Sequence, residues 1–267
     1  MQLYINGIGL FAPGLPGWQE SCKVLTGSIA YDSQIFPKLT GDFLPPTERR
    51  RAGKCVKLSL EVAHEAIAQS GTSAQDAATV FASSGGDTEV IHQICETLAS
   101  TERMISPMRF HNSVHNAAAG YWSIATGSHQ PSTSLSYCND TFSAGLLEAA
   151  AQAIAEQTPV LLVVYYMPHP EPMHSVRPIC AEFGTAMLIS PVKSASSLVQ
   201  LSIQITQQDK TPLSTMQHAP DLEILRNCNP AARALPLLQA IAENVPTSII
   251  FKYVGNSQLH AVLTPCR

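Results

Sequence analysis

The segment TSLSYCNDTFSAGLLEAAAQAIAEQTPVLLVVYY, residues 133–166, decides the fold of this chain. Its first part, Thr133–Tyr137, predicts a short β-strand, and the apolar stretch Thr141–Glu156 predicts a helix. Its last part, Val160–Tyr166, is an unbroken apolar run, which is typical of a strand that is buried on both faces. The segment therefore predicts a strand-helix-strand unit of an α/β protein.

The same alternation extends outward on both sides of this segment. The hydrophobic periodicity predicts further strands at Leu3–Phe11, Ala77–Ala82, Thr185–Ile189 and Leu198–Ile205, and helices at Val56–Gln69, Val90–Leu98, Ala117–Thr126, Asp221–Arg226 and Ala231–Asn244. A terminal hairpin is expected from Thr247–Tyr253 and Gln258–Leu263, which flank Gly255-Asn256. The roughly forty residues after Pro13-Gly14 show no clear period, and an excursion of that length is usually functional. A layered α/β fold with a largely buried sheet is predicted.

The composition excludes several classes of function. The chain has 267 residues, 45% hydrophobic and only 13% charged, so it can bury a large core. Its net charge of -4, without a long basic run, argues against a nucleic-acid partner. No run reaches the roughly 18–20 apolar residues of a membrane span. The N-terminus is interpreted as a strand and not as a signal peptide, so a cytoplasmic location is expected. The scarcity of charge suggests that another subunit covers part of the surface.

The seven cysteines are scattered and form no CxxC pair. An odd number of widely spaced cysteines is typical of reduced thiols, so neither disulfides nor zinc ligands are expected.

The region from Ile105 to Ser190 resembles the N-terminal half of β-ketoacyl synthases of the thiolase fold. The matching blocks occur in the family's order: Phe110 followed by Asn116-Ala-Ala-Ala-Gly120, the helix end at Thr126-Gly127, the strand-to-helix elbow at Ser136–Ser143, and the strand entry Gly184-Thr185-Ala186. The resemblance implies a thiolase-like layered α/β fold with a complete first half at residues 1–190. Residues 191–267 would form an abbreviated second half, and the two halves one compact unit.

The elbow departs from the family pattern at the position of the nucleophile. Family members have a cysteine there, and the gapless register places Asp140 at that position. A carboxylate at a helix start is ordinarily an N-cap, which is the preferred interpretation of Asp140. Cys138, two residues earlier, is expected to be a buried thiol that points into the sheet or a subunit interface beside Ser136. The alternative is that Cys138 is the nucleophile of a divergent acyltransferase or thioesterase, with His111 or His115 as its base.

The second half also lacks the two histidines that the family uses for decarboxylation. Only His218 and His260 follow Ser190, and neither lies in the family's Gly-rich motifs. Both are interpreted as exposed or core histidines. His111, His115, His169 and His174 lack an accompanying carboxylate at ligand spacing, so no metal site is predicted. The Ser83-Ser84-Gly85-Gly86 run lacks phosphate-loop spacing and predicts only a turn.

The resemblance implies a chain-length-factor type of subunit, similar to those of aryl polyene biosynthesis. Such a subunit pairs with an active, full-length β-ketoacyl synthase and shapes the acyl tunnel, without catalysis or a cofactor of its own. A third hypothesis is a protein that binds only the acyl carrier protein. Arg49, Arg50 and Arg51 are interpreted as a solvated loop, with docking of an acidic acyl carrier protein as the alternative. The expected tunnel or interface residues are Met104, Met108, Phe110, Asn116, Ser136 and Cys138, with ordinary core packing as the other interpretation of the three large apolar side chains.

Overall fold

The computed structural model describes residues 1–207, 211–216 and 219–266. Its strands are β1 (Gln2–Ala12), β2 (Leu15–Pro16), β3 (Ala78–Ala82), β4 (Ser132–Leu135), β5 (Val160–Tyr166), β6 (Phe183–Ser190), β7 (Val199–Gln207), β8 (Thr247–Lys252) and β9 (Ser257–Pro265). Its helices are α1 (Trp18–Leu25), α2 (Pro46–Arg51), α3 (Lys54–Ser70), α4 (Thr88–Ala99), α5 (Pro107–Asn112), α6 (Ala117–Thr126), α7 (Thr141–Glu156), α8 (Met173–Val176), α9 (Pro220–Cys228) and α10 (Leu235–Glu243). The mixed α/β architecture confirms the predicted fold class.

One sheet runs through the whole molecule in the order β4-β3-β5-β6-β1-β7-β9-β8, with β2 paired to β1. Strands β3, β4 and β5 are parallel, and β6 is antiparallel to β5. The carboxyl ends of β3, β4 and β5 therefore lie at one edge of the sheet, together with the start of β6.

Helices cover both faces of the sheet. Helix α3 packs with α6 on one face, and α7 packs on the opposite face of the same strands. The close approach of α3 depends on two glycines of β1, because a Cβ atom at Gly7 or Gly9 would overlap the carbonyl oxygens of Ala66 and Val62.

The second half continues the same sheet. Strand β7 pairs with β1 of the first half, and the β8-β9 hairpin follows β7. The outer edge of β8 is bonded at its middle residue, since Ser214 N donates to Ile250 O and Ile250 N donates to Ser214 Oγ, both at 3.0 Å. The division of the chain at residue 190 stays a prediction.

The region after β1 differs from the expected irregular excursion, because it contains α1 and α2. Helix α1 is fixed by a distant residue: Glu65 Oε1 accepts a hydrogen bond from Trp18 N at 2.6 Å, and Glu65 Oε2 accepts one from Leu10 N at 2.9 Å. Burial raises the pKa of the Glu65 carboxyl, while these two backbone bonds lower it. Since this tie spans 47 residues, local sequence patterns could not reveal it.

The prediction that all cysteines are free thiols was wrong for one pair. Cys180 and Cys228 form a disulfide across a separation of 48 residues, with their Cα atoms 5.6 Å apart. The pairing arises because the end of α9 packs against the segment that precedes β6, a contact that cysteine spacing does not encode. Cys22, Cys55, Cys95, Cys138 and Cys266 are free.

Within the described part of the chain, no helix is both long and apolar enough to span a membrane.

Candidate functional site

The candidate site lies at the edge of the sheet where β3, β4 and β5 end. Residues 83–87 follow β3, residues 136–140 follow β4, and residues 167–172 follow β5. In α/β sheets, ligands and reacting groups usually lie beyond the carboxyl ends of parallel strands. The fold thus brings the predicted elbow together with two loops that are distant in sequence.

The elbow after β4 is a sharp turn. Strand β4 ends at Leu135, and Cys138–Asp140 form one turn of 3-10 helix before α7 begins. Cys138 has a φ of 44°, a left-handed conformation that is uncommon for a residue with a Cβ atom. The Cys138 thiol does not point into the sheet, because this turn takes the residue out of the strand and leaves its side chain exposed in the isolated chain. Its expected position in a subunit interface stays a prediction. Ser136 is exposed as well.

Tyr166 holds the elbow in place from the end of β5. Its buried hydroxyl lies 2.6 Å from Ser84 Oγ, 2.8 Å from Thr141 Oγ1 and 2.9 Å from the carbonyl oxygen of Cys138. The backbone N of Ser84 donates to the same hydroxyl at 2.9 Å. One phenol therefore joins the ends of β3 and β5 to the turn before α7. No sequence pattern indicates this role for Tyr166, because its apolar surroundings predict only core packing.

Asp140 occupies the N-cap position of α7, as predicted, but it does not cap the helix with its side chain. Its Oδ1 instead accepts a hydrogen bond from Arg233 Nη1 at 2.8 Å. The side chain of Asp140 is 13% exposed and that of Arg233 is 27% exposed, so the ion pair is mostly buried. Burial lowers the pKa of the Arg233 guanidinium, and the Asp140 carboxylate raises it. Arg233 lies 93 residues from Asp140, and no sequence motif indicated it.

The histidines that were considered as bases have other contacts. His115 Nε2 donates to the carbonyl oxygen of Ser83, which fixes one tautomer of the ring. His111 is exposed on α5. Among the described residues, neither of these histidines hydrogen-bonds to the Cys138 thiol.

His260 is the histidine of the second half that the structure describes, and it does not reach the elbow. It is half-buried on β9, where it contacts the hydroxyl of Ser248 and the amide of Gln204. His218 lies outside the described residues.

His169 is a buried histidine in the loop after β5. It is 7% exposed, and its Nδ1 lies 3.0 Å from Thr88 Oγ1. Burial lowers the pKa of its ring, as do the nearby charges of Arg177 and His174. The hydrogen bond between His169 and Thr88 connects the loop after β5 to the start of α4.

The Ser83–Gly86 run is a strand-to-helix turn, as predicted. Gly86 has a φ of 57°, and Asp87 Oδ1 caps α4 by accepting a hydrogen bond from Val90 N at 3.2 Å. Beside this turn lies a cleft of about 620 Å³ that includes Asp87, Lys54 and Glu182 in its lining. Burial raises the pKa of both carboxyl groups. The described residues contain no group of three or more His, Cys, Asp or Glu side chains that could hold a metal ion.

Exposed apolar side chains on and around α5, namely Met104, Met108, Phe110 and Val114, are called here the apolar surface. These side chains are 80%, 48%, 65% and 47% exposed, respectively. Core packing of Met104, Met108 and Phe110 is therefore excluded for the isolated chain. Asn116 stands at the N-cap position of α6 and lines a shallow groove with Ser132 and Ser134 of β4.

The three arginines do not form a solvated loop, as one interpretation expected, but the end of α2. Arg49 Nη1 donates to Asp42 Oδ1 at 2.8 Å, and Arg51 Nη1 donates to Glu48 Oε1 at 3.2 Å. Arg50 is exposed. Intramolecular ion pairs thus occupy two of the three guanidinium groups.

Comparison with solved structures gives a consistent set of neighbours. The ketosynthase ApeO in complex with its chain length factor ApeC, from Xenorhabdus doucetiae, matches with a TM-score of 0.73 and 23% identity, over 98% of this chain and 99% of that chain. The ishigamide ketosynthase/chain length factor matches with a TM-score of 0.74 and 11% identity, over 99% of both chains. AntDE:AntF, a type II acyl-carrier protein in complex with its ketosynthase bound to the hexaketide, matches with a TM-score of 0.78 and 11% identity, over 100% and 99% of the chains. At these identities, the likeness shows the fold. No curated protein matches the sequence.

The comparison with protein families is more direct, since it rests on the sequence itself. Residues 18–247 match the β-ketoacyl synthase N-terminal domain, which covers most of the chain, including the elbow, Tyr166 and Arg233. The chain belongs to the β-ketoacyl synthase N-terminal domain family.

Proposed function

We propose that this chain is a non-catalytic, chain-length-factor type of subunit that pairs with a full-length β-ketoacyl synthase. The growing acyl chain would be bonded to the partner synthase or to an acyl carrier protein, and this subunit would contact it without forming a bond. The chain would need no cofactor of its own. The proposal carries over to this protein what is described for ApeC, a chain length factor in complex with a ketosynthase.

The observation that carries the proposal is the ion pair at the elbow. The resemblance places the family's nucleophile at Asp140, and the Asp140 carboxylate is held by Arg233 at 2.8 Å. A carboxylate in an ion pair is a poor nucleophile, and its acyl product would be a labile anhydride. The missing second-half histidines point in the same direction, because decarboxylation needs groups that bind the malonyl carbonyl.

The uncovered edge of the sheet at β4 supports pairing with another subunit. The carbonyl oxygens of Pro131 and Leu135 accept hydrogen bonds from β3, at 3.0 and 3.1 Å. Because the backbone groups of a strand alternate in direction, those of Ser132 and Ser134 point away from β3. An exposed edge of this kind favours pairing with another strand, whereas Ser214 bonds both backbone groups of Ile250 at the opposite edge.

The exposed apolar surface on and around α5 supports a role in the acyl tunnel. Four large side chains that are about half or more exposed would be unfavourable in an isolated chain and favourable against an apolar partner or acyl chain. Met104, Met108 and Phe110 are the proposed wall residues. Burial of each two-carbon unit of an acyl chain contributes about 1.6 kcal/mol. A wall that prevents this burial removes that free energy from the next elongation step, so elongation stops sharply. The proposal also places the pair in an aryl polyene or related polyketide pathway. Arg50, which is exposed, is the proposed contact for the acyl carrier protein.

Co-expression with the ketosynthase encoded nearest to this chain tests the proposal. We expect a stable heterodimer that condenses malonyl units, and we expect neither protein alone to give products of the native length. The control is the partner with its catalytic cysteine replaced, which should pair normally and remain inactive. A monomeric chain in the presence of the synthase would contradict the proposal.

The exposed, left-handed Cys138 favours a second candidate function, acyl transfer or thioester hydrolysis. Its position in the turn before α7 places it near the N-terminus of a helix of 16 residues, where backbone N–H groups can receive an oxyanion. Iodoacetamide labelling of Cys138 followed by an acyl-carrier-protein hydrolysis assay separates the two candidates. Thioester turnover that is lost in Cys138→Ser would support this enzyme. No turnover by the parent chain would leave the non-catalytic subunit, and turnover that is unchanged in Cys138→Ser would contradict both candidates.

A further inference from the structure

The disulfide between Cys180 and Cys228 lies close to the segment that carries Arg233. Helix α9 ends at Cys228, and Asn229 and Pro230 lead directly into the 3-10 turn Ala231–Ala234. The crosslink therefore fixes the chain only five positions before the guanidinium that holds the elbow. It is also accessible, because Cys180 is exposed and Cys228 is half-buried.

The segment between the disulfide and Arg233 is buried and conformationally restricted. Asn229 is fully buried, with its Nδ2 donating to Ala181 O and its Oδ1 accepting from Ala231 N, both at 2.8 Å. Proline at position 230 restricts the backbone further. The turn itself is packed in the core, since Ala231 and Ala232 have no exposed surface. A displacement at Cys228 is therefore passed on to Arg233 and not absorbed in a flexible loop.

Arg233 passes this constraint to the elbow. Its guanidinium binds Asp140 at 2.8 Å, and Asp140 is the last residue of the turn that holds Cys138 in its left-handed conformation. That turn directly follows β4, the proposed pairing edge. We propose that the Cys180–Cys228 disulfide is a redox-sensitive link that sets the rigidity of the elbow through the Arg233–Asp140 ion pair.

The chemistry of the switch is thiol-disulfide exchange. The thiolate of a dithiol reductant attacks the exposed Cys180 sulfur, the S–S bond breaks, and the Cys228 sulfur leaves as a thiolate that takes up a proton. The second thiol of the reductant resolves the mixed disulfide, which releases the Cys180 thiol and an oxidised dithiol. Glutathione disulfide drives the reverse reaction. Exposed disulfides are generally the labile and regulatory ones.

The switch has a direct readout in the isolated chain, namely the hydrogen exchange of the elbow amides. Tyr137 N donates to Thr141 Oγ1 at 3.2 Å, and Asp140 N donates to the carbonyl oxygen of Tyr137 at 3.0 Å, so both amides exchange only when the elbow opens. Their exchange rates are measured by mass spectrometry of the peptide that covers the elbow, in the oxidised protein and in Cys180→Ser/Cys228→Ser. We expect about tenfold faster exchange in the double variant, because a looser elbow opens more often. The amides of α4 are the internal control and should exchange at an unchanged rate. Circular dichroism checks that the variant is folded.

A second variant tests the route through Arg233. Arg233→Gln leaves the disulfide intact and removes the ion pair, so we expect the same increase in the exchange rate of the elbow amides. Combining all three substitutions should give no further increase, because both changes act through one contact. Independent, multiplicative increases would overturn the proposed route, and an unchanged exchange rate in the cysteine variant would overturn the switch. So would the absence of a Cys180–Cys228 linked peptide after treatment with glutathione disulfide.

This inference rests on the proposed function only for its consequence at β4. If the chain pairs with a synthase in neither redox state, the proposed function is overturned, but the exchange rates of the elbow amides still test the switch. If the affinity for the synthase is equal in both states and the exchange rates differ, the switch acts on the elbow and not on pairing.

Discussion

Removal of Arg233 is the sharpest test of the elbow, because it leaves the Asp140 carboxylate in place without its partner. An exposed ion pair contributes about 0–1 kcal/mol, and breaking a buried one costs about 3–5 kcal/mol. With 13% and 27% of the two side chains exposed, this pair lies between those limits, and we expect Arg233→Ala to cost about 2 kcal/mol. For a chain of this size, that loss lowers the melting temperature by about 5 °C. Asp140→Asn should cost less, because the amide oxygen still accepts a hydrogen bond.

Chemical denaturation of four proteins measures the effect: the parent chain, Asp140→Ala, Arg233→Ala and the double variant. The double variant should be more stable than the sum of the single losses predicts, by about 1 kcal/mol, because it leaves no unpaired charge. Lys23→Ala is the matched control, since Lys23 pairs with Glu20 at 2.7 Å but both side chains are at least half exposed. A loss in Arg233→Ala no larger than that in Lys23→Ala, or strict additivity in the cycle, would refute the reasoning.

Four further outcomes follow from the structure. Ser134→Pro should abolish pairing with the synthase in size-exclusion chromatography, because it removes an outward N–H of β4, while Ser134→Ala should pair normally. Phe110→Ala should lengthen the products of the complex, measured by mass spectrometry, with little loss of stability, whereas the fully buried Phe142→Ala should cost about 3–5 kcal/mol. The pKa of Glu223 is lowered from 4.5 to about 2, mainly by its hydrogen bond from Arg226, so its contribution is complete above pH 4.5 and is lost as the pH falls towards 2; Glu223→Gln should flatten the acid-unfolding profile in that window. Asp140→Cys should react with iodoacetamide but yield no condensation product, and any such product would contradict the non-catalytic assignment.

The regular part of the fold could be predicted because its signals are local. Helix α7 and strand β5 have the predicted bounds, Thr141–Glu156 and Val160–Tyr166, since a long apolar helix and an unbroken buried strand have strong and different periods. Strand β4 was placed slightly too far along the chain. Its end at Leu135 is set by the turn that Tyr166 holds, and that contact is not visible in the sequence.

The site was predictable only in part, because its parts come from distant segments. The family register indicated the elbow and Asp140, but the partner of Asp140 is 93 residues away in an alanine-rich turn with no motif. The disulfide could not be predicted from the sequence, for a related reason. Cysteine spacing is informative for short disulfide-rich domains, whereas this pair depends on how α9 packs against the start of β6.

The charges at the elbow of this chain differ from those that a condensing enzyme needs. The N-terminus of α7 carries roughly half a positive charge, and Arg233 adds a full one beside it. In a condensing enzyme, such a field would favour a thiolate and the oxyanion of a thioester. Here the Asp140 carboxylate neutralises much of that positive charge. Its ion pair with Arg233 is structural, because both side chains are mostly buried. The elbow thus keeps its shape through Tyr166 and its charge balance through Asp140. Under the proposed function, the exposed side chains of Met104, Met108 and Phe110 contact the acyl chain, and the partner synthase supplies the chemistry.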